Sequence, residues 1–326
     1  MKSVRCIQPR SVREAYLLAC ELDVAAIKPG NVSAASPGHG MRADDFHQSA
    51  LASADAVSDV APGLGPRIQR AVAATHAAVR MNTNLGIVLL CAPLAEAALR
   101  MTPGWSLRSL VREVLRAADV NDAEQVFAAI RVASPGGLGD AAEHDVMHPA
   151  RVSLRGAMAA AADRDQIAAL YASGFADLFD DAVPHLKTAR AALGRRHAAV
   201  TDLYLHLLSR YPDSHVRRKF GADTAAALRE QAAAVYRAWR KAAADADGDS
   251  GADRSSAVLL DFDQRLKSAS INPGTTADMT VATLFLERLQ HAAALNPGVP
   301  RRITWRQLRL ASSGAPLIST LLVGES

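Results

Sequence analysis

Four polar, glycine-bearing turns carry most of the side chains that could do chemistry in this 326-residue sequence. The last is Ser270-Ile271-Asn272-Pro273-Gly274-Thr275-Thr276-Ala277-Asp278. Pro273-Gly274 ends any preceding helix, and Thr275 or Thr276 can cap the next one. Asp278 then falls in a first helical turn, where outward N–H groups and the positive dipole end suit an anion or a metal-bound phosphate. The same residues without a ligand would make a plain capped core helix. The first turn is Lys28-Pro29-Gly30-Asn31-Val32, followed by His39-Gly40-Met41 and by Asp44-Asp45-Phe46. Lys28 and the Gly30-Asn31 backbone could meet a phosphate, because glycine permits close approach. The second is Asn82-Thr83-Asn84-Leu85-Gly86, where Asn82 and Thr83 precede an apolar run and Gly86 lets a ligand or backbone come near. The third, Pro212 to Gly221, supplies one carboxylate, Asp213, and the cations Arg217, Arg218 and Lys219, of which Arg217 and Lys219 are the stronger candidates for phosphate and Arg218 could instead face solvent. Arginine grips phosphate through two parallel N–H donors, which lysine cannot do.

In this order the four segments resemble the triphosphoribosyl-dephospho-CoA synthase family. Its members carry a KPG segment near the N-terminus, an NT-x-x-G segment, a D-(S/T)-x-x-x-R-x-G segment and a late G-x-(S/T)-AD segment. The resemblance spans roughly residues 10–290, and four motifs in one order are far more specific than any one alone. It implies a transferase in which the 2′-hydroxyl of 3′-dephospho-CoA attacks C1 of the ATP ribose and adenine leaves. Such a glycosyl transfer needs a carboxylate to take the hydroxyl proton or to stabilise positive charge on the ribose. It also needs cations, with Mg²⁺ bridging carboxylates and phosphate oxygens. On the matching positions the resemblance implies Asp278, Asp213 and Asp23 as catalytic carboxylates, with Glu21 a neighbour of the last. Nucleotide contacts are implied at Lys28, Gly30, Asn31, His39, Asn82, Thr83, Gly86, Arg217, Lys219, Gly274, Thr275 and Thr276. Metal ligands are implied at Asp45, Asp213 and Asp278.

The chain departs from the family at two places. The citrate- and malonate-lyase type enzymes carry H-x-D-M where this sequence reads His39-Gly40-Met41, so the internal carboxylate is absent and Asp44 or Asp45 is left to serve. Pro135-Gly136-Gly137-Leu138-Gly139, followed by His144-Asp145-Val146, replaces a G-L-R-G-E-A-like segment. A divergent branch follows, and with it an alternative: an enzyme of the same fold acting on a precursor of a methanopterin- or methanofuran-type one-carbon carrier. A non-catalytic helical binding protein is the third reading, and it would need caps rather than Asp, Arg and Lys gathered near glycines.

The elements that must position these turns read as helix after helix. Hydrophobic residues make up 49% and aromatics 5% of the chain, so much of the apolar content is alanine, which favours helices over sheets. Helices are expected over 11–27, 44–60, 68–81, 85–100, 107–118, 123–132, 153–171, 175–209, 222–244, 255–269 and 275–294. The run 85–100 is apolar all round and should be central. Residues 134–149 form a loop and 245–253 a flexible surface linker within one all-α domain spanning 1–326. The four turns should converge on one cleft.

A formal charge of +4 without a basic run fits small anions and gives no indication of nucleic-acid binding. Cys6, Cys20 and Cys91 lack metal or disulfide spacing and read as reduced thiols. There is no signal-like N-terminus and no apolar stretch of membrane-spanning length, so a cytoplasmic protein is expected. A homodimer is a candidate assembly. His144 and His148 have zinc spacing on a helix, but Pro149 and the glycines before them argue against a helix there. G-x-S-x-G, Walker and dinucleotide fingerprints are absent.

Overall fold

The most apolar segment of the sequence becomes the centre of the fold. In the computed structural model, which describes residues 7–61, 63–102, 104–136, 143–244 and 249–294, α4 (Leu85–Leu99) buries every residue from Ile87 to Ala98. A helix that is apolar on all sides must be enclosed. It is wrapped by α1 (Pro9–Ala25), α2 (Ala43–Ser58), α3 (Leu64–Val79), α5 (Leu107–Ala117) and α14 (Gly274–Ala294). Its one buried acid, Glu96, pairs with buried Arg67 at 3.3 Å and with Arg100. Arg67 Nη1 also donates to the Val57 carbonyl at 2.6 Å, so neither buried charge is left unpaired.

Around this centre lie α6 (Val120–Ala133), α7 (Leu154–Ala161) and α8 (Gln166–Ser173). A π-helical turn, Leu178–Ala182, leads into α9 (Val183–Leu193), followed by α10 (Arg196–Arg210), α11 (Ser214–Phe220), α12 (Ala222–Ala244) and α13 (Asp249–Ser268). Two apolar clusters result, and α10 and α14 serve both. Leu203 and Leu207 of α10 join the larger cluster, while Tyr204, Leu205 and Leu208 join the one with α12 and α13. Among the described residues there is no strand beyond the single bridges Ser33–Ser36 and Gly38–Met41. No described helix is long and apolar enough to cross a membrane. Cys20 and Cys91 are buried free thiols, and Cys6 lies outside the described residues.

Several expected boundaries shift, each for a local reason. The helix expected over 153–171 is two helices: α7 ends at Ala161, and Asp165 caps α8 through Ala168 N at 3.0 Å. The helix expected over 175–209 breaks at Gly194, whose φ of 63° is left-handed. The turn expected over 212–221 contains a helix, α11, nucleated by the Asp213 cap on Val216 N. Residues 249–253 of the expected linker 245–253 lie in α13, which starts at Asp249. Residues 245–248, and Gly137 to Gly139 of the expected loop, lie outside the described residues.

Candidate active site

The end of α1 and the turn after it form the first wall. Lys28 is 1% exposed and pairs with Asp23, which is itself 3% exposed. Lys28 Nζ also donates to Asn31 Oδ1 at 3.0 Å, and Asn31 Nδ2 donates to Asn272 Oδ1 at 2.8 Å. Asp23 Oδ1 is buried without a partner among the described residues. Gly30 has φ +81°, and a side chain there would meet Leu266 and Pro273 at 2.8 Å, so only glycine fits. Its N–H donates to Asp263 Oδ1 at 2.8 Å, and its carbonyl lies 2.8 Å from His39 Nε2. Thr201 and Tyr204 satisfy the Ile27 and Pro29 carbonyls at 2.9 and 2.8 Å. The turn is thus held from α10 and α13.

The second wall is the entry to α4. Thr83 Oγ1 lies 2.5 Å from Ser49 Oγ, Asn84 Nδ2 donates to Ser53 Oγ at 3.2 Å, and Asn82 Oδ1 accepts from Leu85 N at 3.3 Å. Gly86, in the first turn of α4, faces Asp278, the fifth residue of α14, which lies past the first turn expected for it. There Asp278 is half-buried and makes no hydrogen bond or ion pair with any described residue. Burial, then the negative charges of Asp213 and Asp23, push its carboxyl well above the ordinary carboxylate value, while Lys28 and Arg218 pull the other way.

The third wall is α11. Both Asp213 oxygens are committed: Oδ1 accepts from Val216 N at 3.0 Å, and Oδ2 accepts from Thr276 N and Thr276 Oγ1 at 2.8 Å each. That clamp aligns the starts of α11 and α14. Gly274 has no room for a β-carbon, which would sit 2.7 Å from His215 Nδ1. Burial and the cations Arg218 and Lys219 lower the His215 imidazole to about 4, so it is neutral at physiological pH. Arg217 Nη1 donates to the Asp163 carbonyl at 2.7 Å and Arg218 Nη1 to Asp165 Oδ2 at 3.2 Å, while Arg218 Nε is buried without a described partner.

A cavity of about 660 Å³ lies between these walls. All four sequence segments reach it: Asp23 and Asn31, Asn82 to Gly86, Arg217, and Gly274, Thr275 and Asp278 line it. Other expected residues do not. Lys28 is turned to Asp23, and Gly30 is packed on α13. His39 braces the Gly30 carbonyl, and Thr276 is buried against Asp213. Lys219 is exposed, 5.3 Å over the Phe220 ring, whereas Arg218, the less favoured of the three cations, lines the cavity. Asp213 serves as a helix cap, with both of its carboxylate oxygens already hydrogen-bonded. Asp45 accepts from Arg42 N at 2.7 Å as part of the α2 cap and lies off the cavity, and Asp44 is exposed beside His47. The expected ligand trio Asp45, Asp213 and Asp278 is therefore not assembled, and no cluster of three or more His, Cys, Asp or Glu side chains among the described residues is placed to hold a metal. His144 and Asp145 line the cavity from a non-helical segment, which removes the helical zinc spacing with His148. Asn84, His215 and Asn272 were missed. Each sits inside a recognisable segment, but pairs such as Asn31 and Asn272, 241 residues apart, leave no local signal.

The family described as ATP:dephospho-CoA triphosphoribosyl transferase matches residues 9–297. The chain belongs to that family. A Pseudomonas fluorescens protein assigned as a 2-(5''-triphosphoribosyl)-3'-dephosphocoenzyme-A synthase is 28% identical over 195 residues, which is 60% of this chain and 61% of that relative. The chain thus spans less than two thirds of the length of the curated relative it matches. An Archaeoglobus fulgidus crystal structure, assigned as a triphosphoribosyl-dephospho-CoA synthase, shares the fold at a TM-score of 0.56 and 24% identity, covering 74% of this chain and 97% of its own.

Proposed function

We propose that this family member is a transferase that moves the 5-triphosphoribosyl group of ATP to the 2′-hydroxyl of 3′-dephospho-CoA and releases adenine. The observation that carries the reading is Asp278: an unpartnered carboxylate on the wall of a cavity reached by all four family segments. In the reaction the acceptor O2′ forms a bond to C1 of the ATP ribose as the C1–N9 bond breaks. The electron pair of that bond leaves with adenine, and the proton lost by the hydroxyl balances the one adenine gains. Asp278 is suited to take the hydroxyl proton, because a raised pKa makes its ionised form a stronger base than an ordinary carboxylate. Its charge also stabilises a cationic ribose. Arg217 and Arg218 face the cavity with donors for the triphosphate.

The residues present fit one Mg²⁺ held mainly by phosphate oxygens. Asp23 Oδ1 is an orphaned carboxylate oxygen on a cavity-lining residue, and Mg²⁺ is commonly held by one or two carboxylates plus substrate phosphates. When bound, the ion would supply neutralisation of triphosphate charge. Incubation with ATP, Mg²⁺ and dephospho-CoA should release adenine in step with the triphosphoribosylated product. Absence of adenine under these conditions would overturn the reading.

A further inference from the structure

One side of the cavity, along α6 and α7, is apolar, and the transfer chemistry does not use it. Leu154, Ala157, Met158 and Ala161 recur at helical spacing along α7 and all line it. Of these only Leu154 is fully buried, so the rest of the stripe is apolar surface turned to the cavity. Phe127 and Ile130 of α6 face the same space. The stripe rises about 10 Å from Leu154 to Ala161, and it ends at a polar neck. There the α7–α8 turn is tied to α11 by Arg217 to the Asp163 carbonyl and Arg218 to Asp165, and Gln166 N donates to Ser214 Oγ at 2.6 Å. Arg164 lines the cavity at this neck. A ligand with an anionic middle and an uncharged tail would match this order, its anion at the arginines and its tail along α7.

We propose that the α6–α7 compartment is an acceptor-selecting subsite, which takes an uncharged extended chain carried on the acceptor's diphosphate, with Arg164 at the diphosphate. The proposal rests on the transfer reading, under which that chain is the pantetheine arm of dephospho-CoA. Its role is selection: burying a remote, non-reacting chain supplies binding energy that positions the reacting hydroxyl. Triphosphate binding does not need it.

The test compares two acceptors that share adenosine diphosphate, dephospho-CoA and ADP, by adenine release above that with ATP alone. The wild type should use dephospho-CoA at least about 100-fold more efficiently. Ala157→Trp, which fills the compartment, should cut the preference below about tenfold while ATP affinity stays within about twofold. Met158→Asp should do the same by charge and serves if the tryptophan variant does not fold. A preference preserved in the folded variants, or absent from the wild type, overturns the subsite and leaves the transfer reaction standing. If the wild type releases no adenine with either acceptor, the transfer reading falls, and calorimetry with 4′-phosphopantetheine decides the subsite. Binding that is lost in Ala157→Trp then keeps it, and no binding to the wild type overturns it.

Discussion

The carboxylate of Asp278 occupies the space in which residue 86 would carry a side chain: a β-carbon on Gly86 would lie 1.9 Å from Asp278 Oδ2. The N-terminal ends of α4 and α14 meet through that contact. Alanine in place of glycine normally steadies a helix by about 0.5–1 kcal/mol, but here it must displace the carboxylate. Gly86→Ala should therefore lower turnover by about 100-fold, the scale of a 1 Å misplacement, with little change in Tm. Steady-state adenine release beside a thermal melt checks it, and wild-type turnover would show that the carboxylate position is not critical.

Asp278→Asn separates chemistry from stability. The carboxylate has no described partner and suffers both burial and like charges. Removing its charge should abolish turnover yet stabilise the fold by about 1 kcal/mol. A drop in Tm that parallels the lost activity would mark Asp278 as structural.

Asp213 should behave in the opposite way. It caps α11 and accepts two hydrogen bonds from Thr276. Asp213→Ala should cost about 2–4 kcal/mol in urea unfolding, since a cap and buried charged hydrogen bonds are lost together. An unfolding midpoint unchanged from wild type would contradict the clamp.

Arg217→Ala and Arg218→Ala should each weaken ATP binding by about 1.5–3 kcal/mol, the scale of a charged hydrogen bond. Lys219→Ala should leave it unchanged, because that side chain lies over Phe220 and off the cavity. Calorimetry with ATP and Mg²⁺ compares the three, and equal losses would place the triphosphate on the outer face of α11.

His215 gives the fold a defined acid sensitivity. An unfolded histidine takes its proton near pH 6.5, whereas the folded imidazole waits until about 4. Between those values the unfolded chain binds a proton that the folded protein refuses, so stability falls as pH drops through this window. The loss attributable to His215 is at most about 3 kcal/mol. Urea unfolding at several pH values should show His215→Asn flattening this part of the curve, and identical slopes would exclude the effect.

Much of the fold was legible because it rests on local signals. The alanine-rich helices and the enclosed α4 follow from composition and from one apolar run, and the four polar turns do meet at a cavity. Which side chain in each turn faces that cavity was less legible. Successive residues on α11 point in widely different directions, so its register decides whether Arg218 or Lys219 turns inward. That register is set by Asp213 bonding Thr276, a contact across 63 residues. Lys28 misled for a related reason: its partner Asp23 belongs to the preceding helix, and only the bend between them buries the pair. The breaks at Asp165 and Gly194 lie in polar stretches, Asp163-Arg164-Asp165 and Gly194-Arg195-Arg196-His197, that an exposed helix face could equally carry, so they give no clear stop signal.

The Gly30 amide is held by Asp263, and Asn31 by Asn272. A ribosome therefore releases the first wall of the cavity more than 200 residues before the groups that lock it. Until α14 emerges, the nascent chain carries α4 without one of its five covering helices, leaving an apolar surface that invites chaperone capture. Competence for nucleotide should thus appear abruptly and late in synthesis, as a property of the finished chain and not of any amino-terminal fragment.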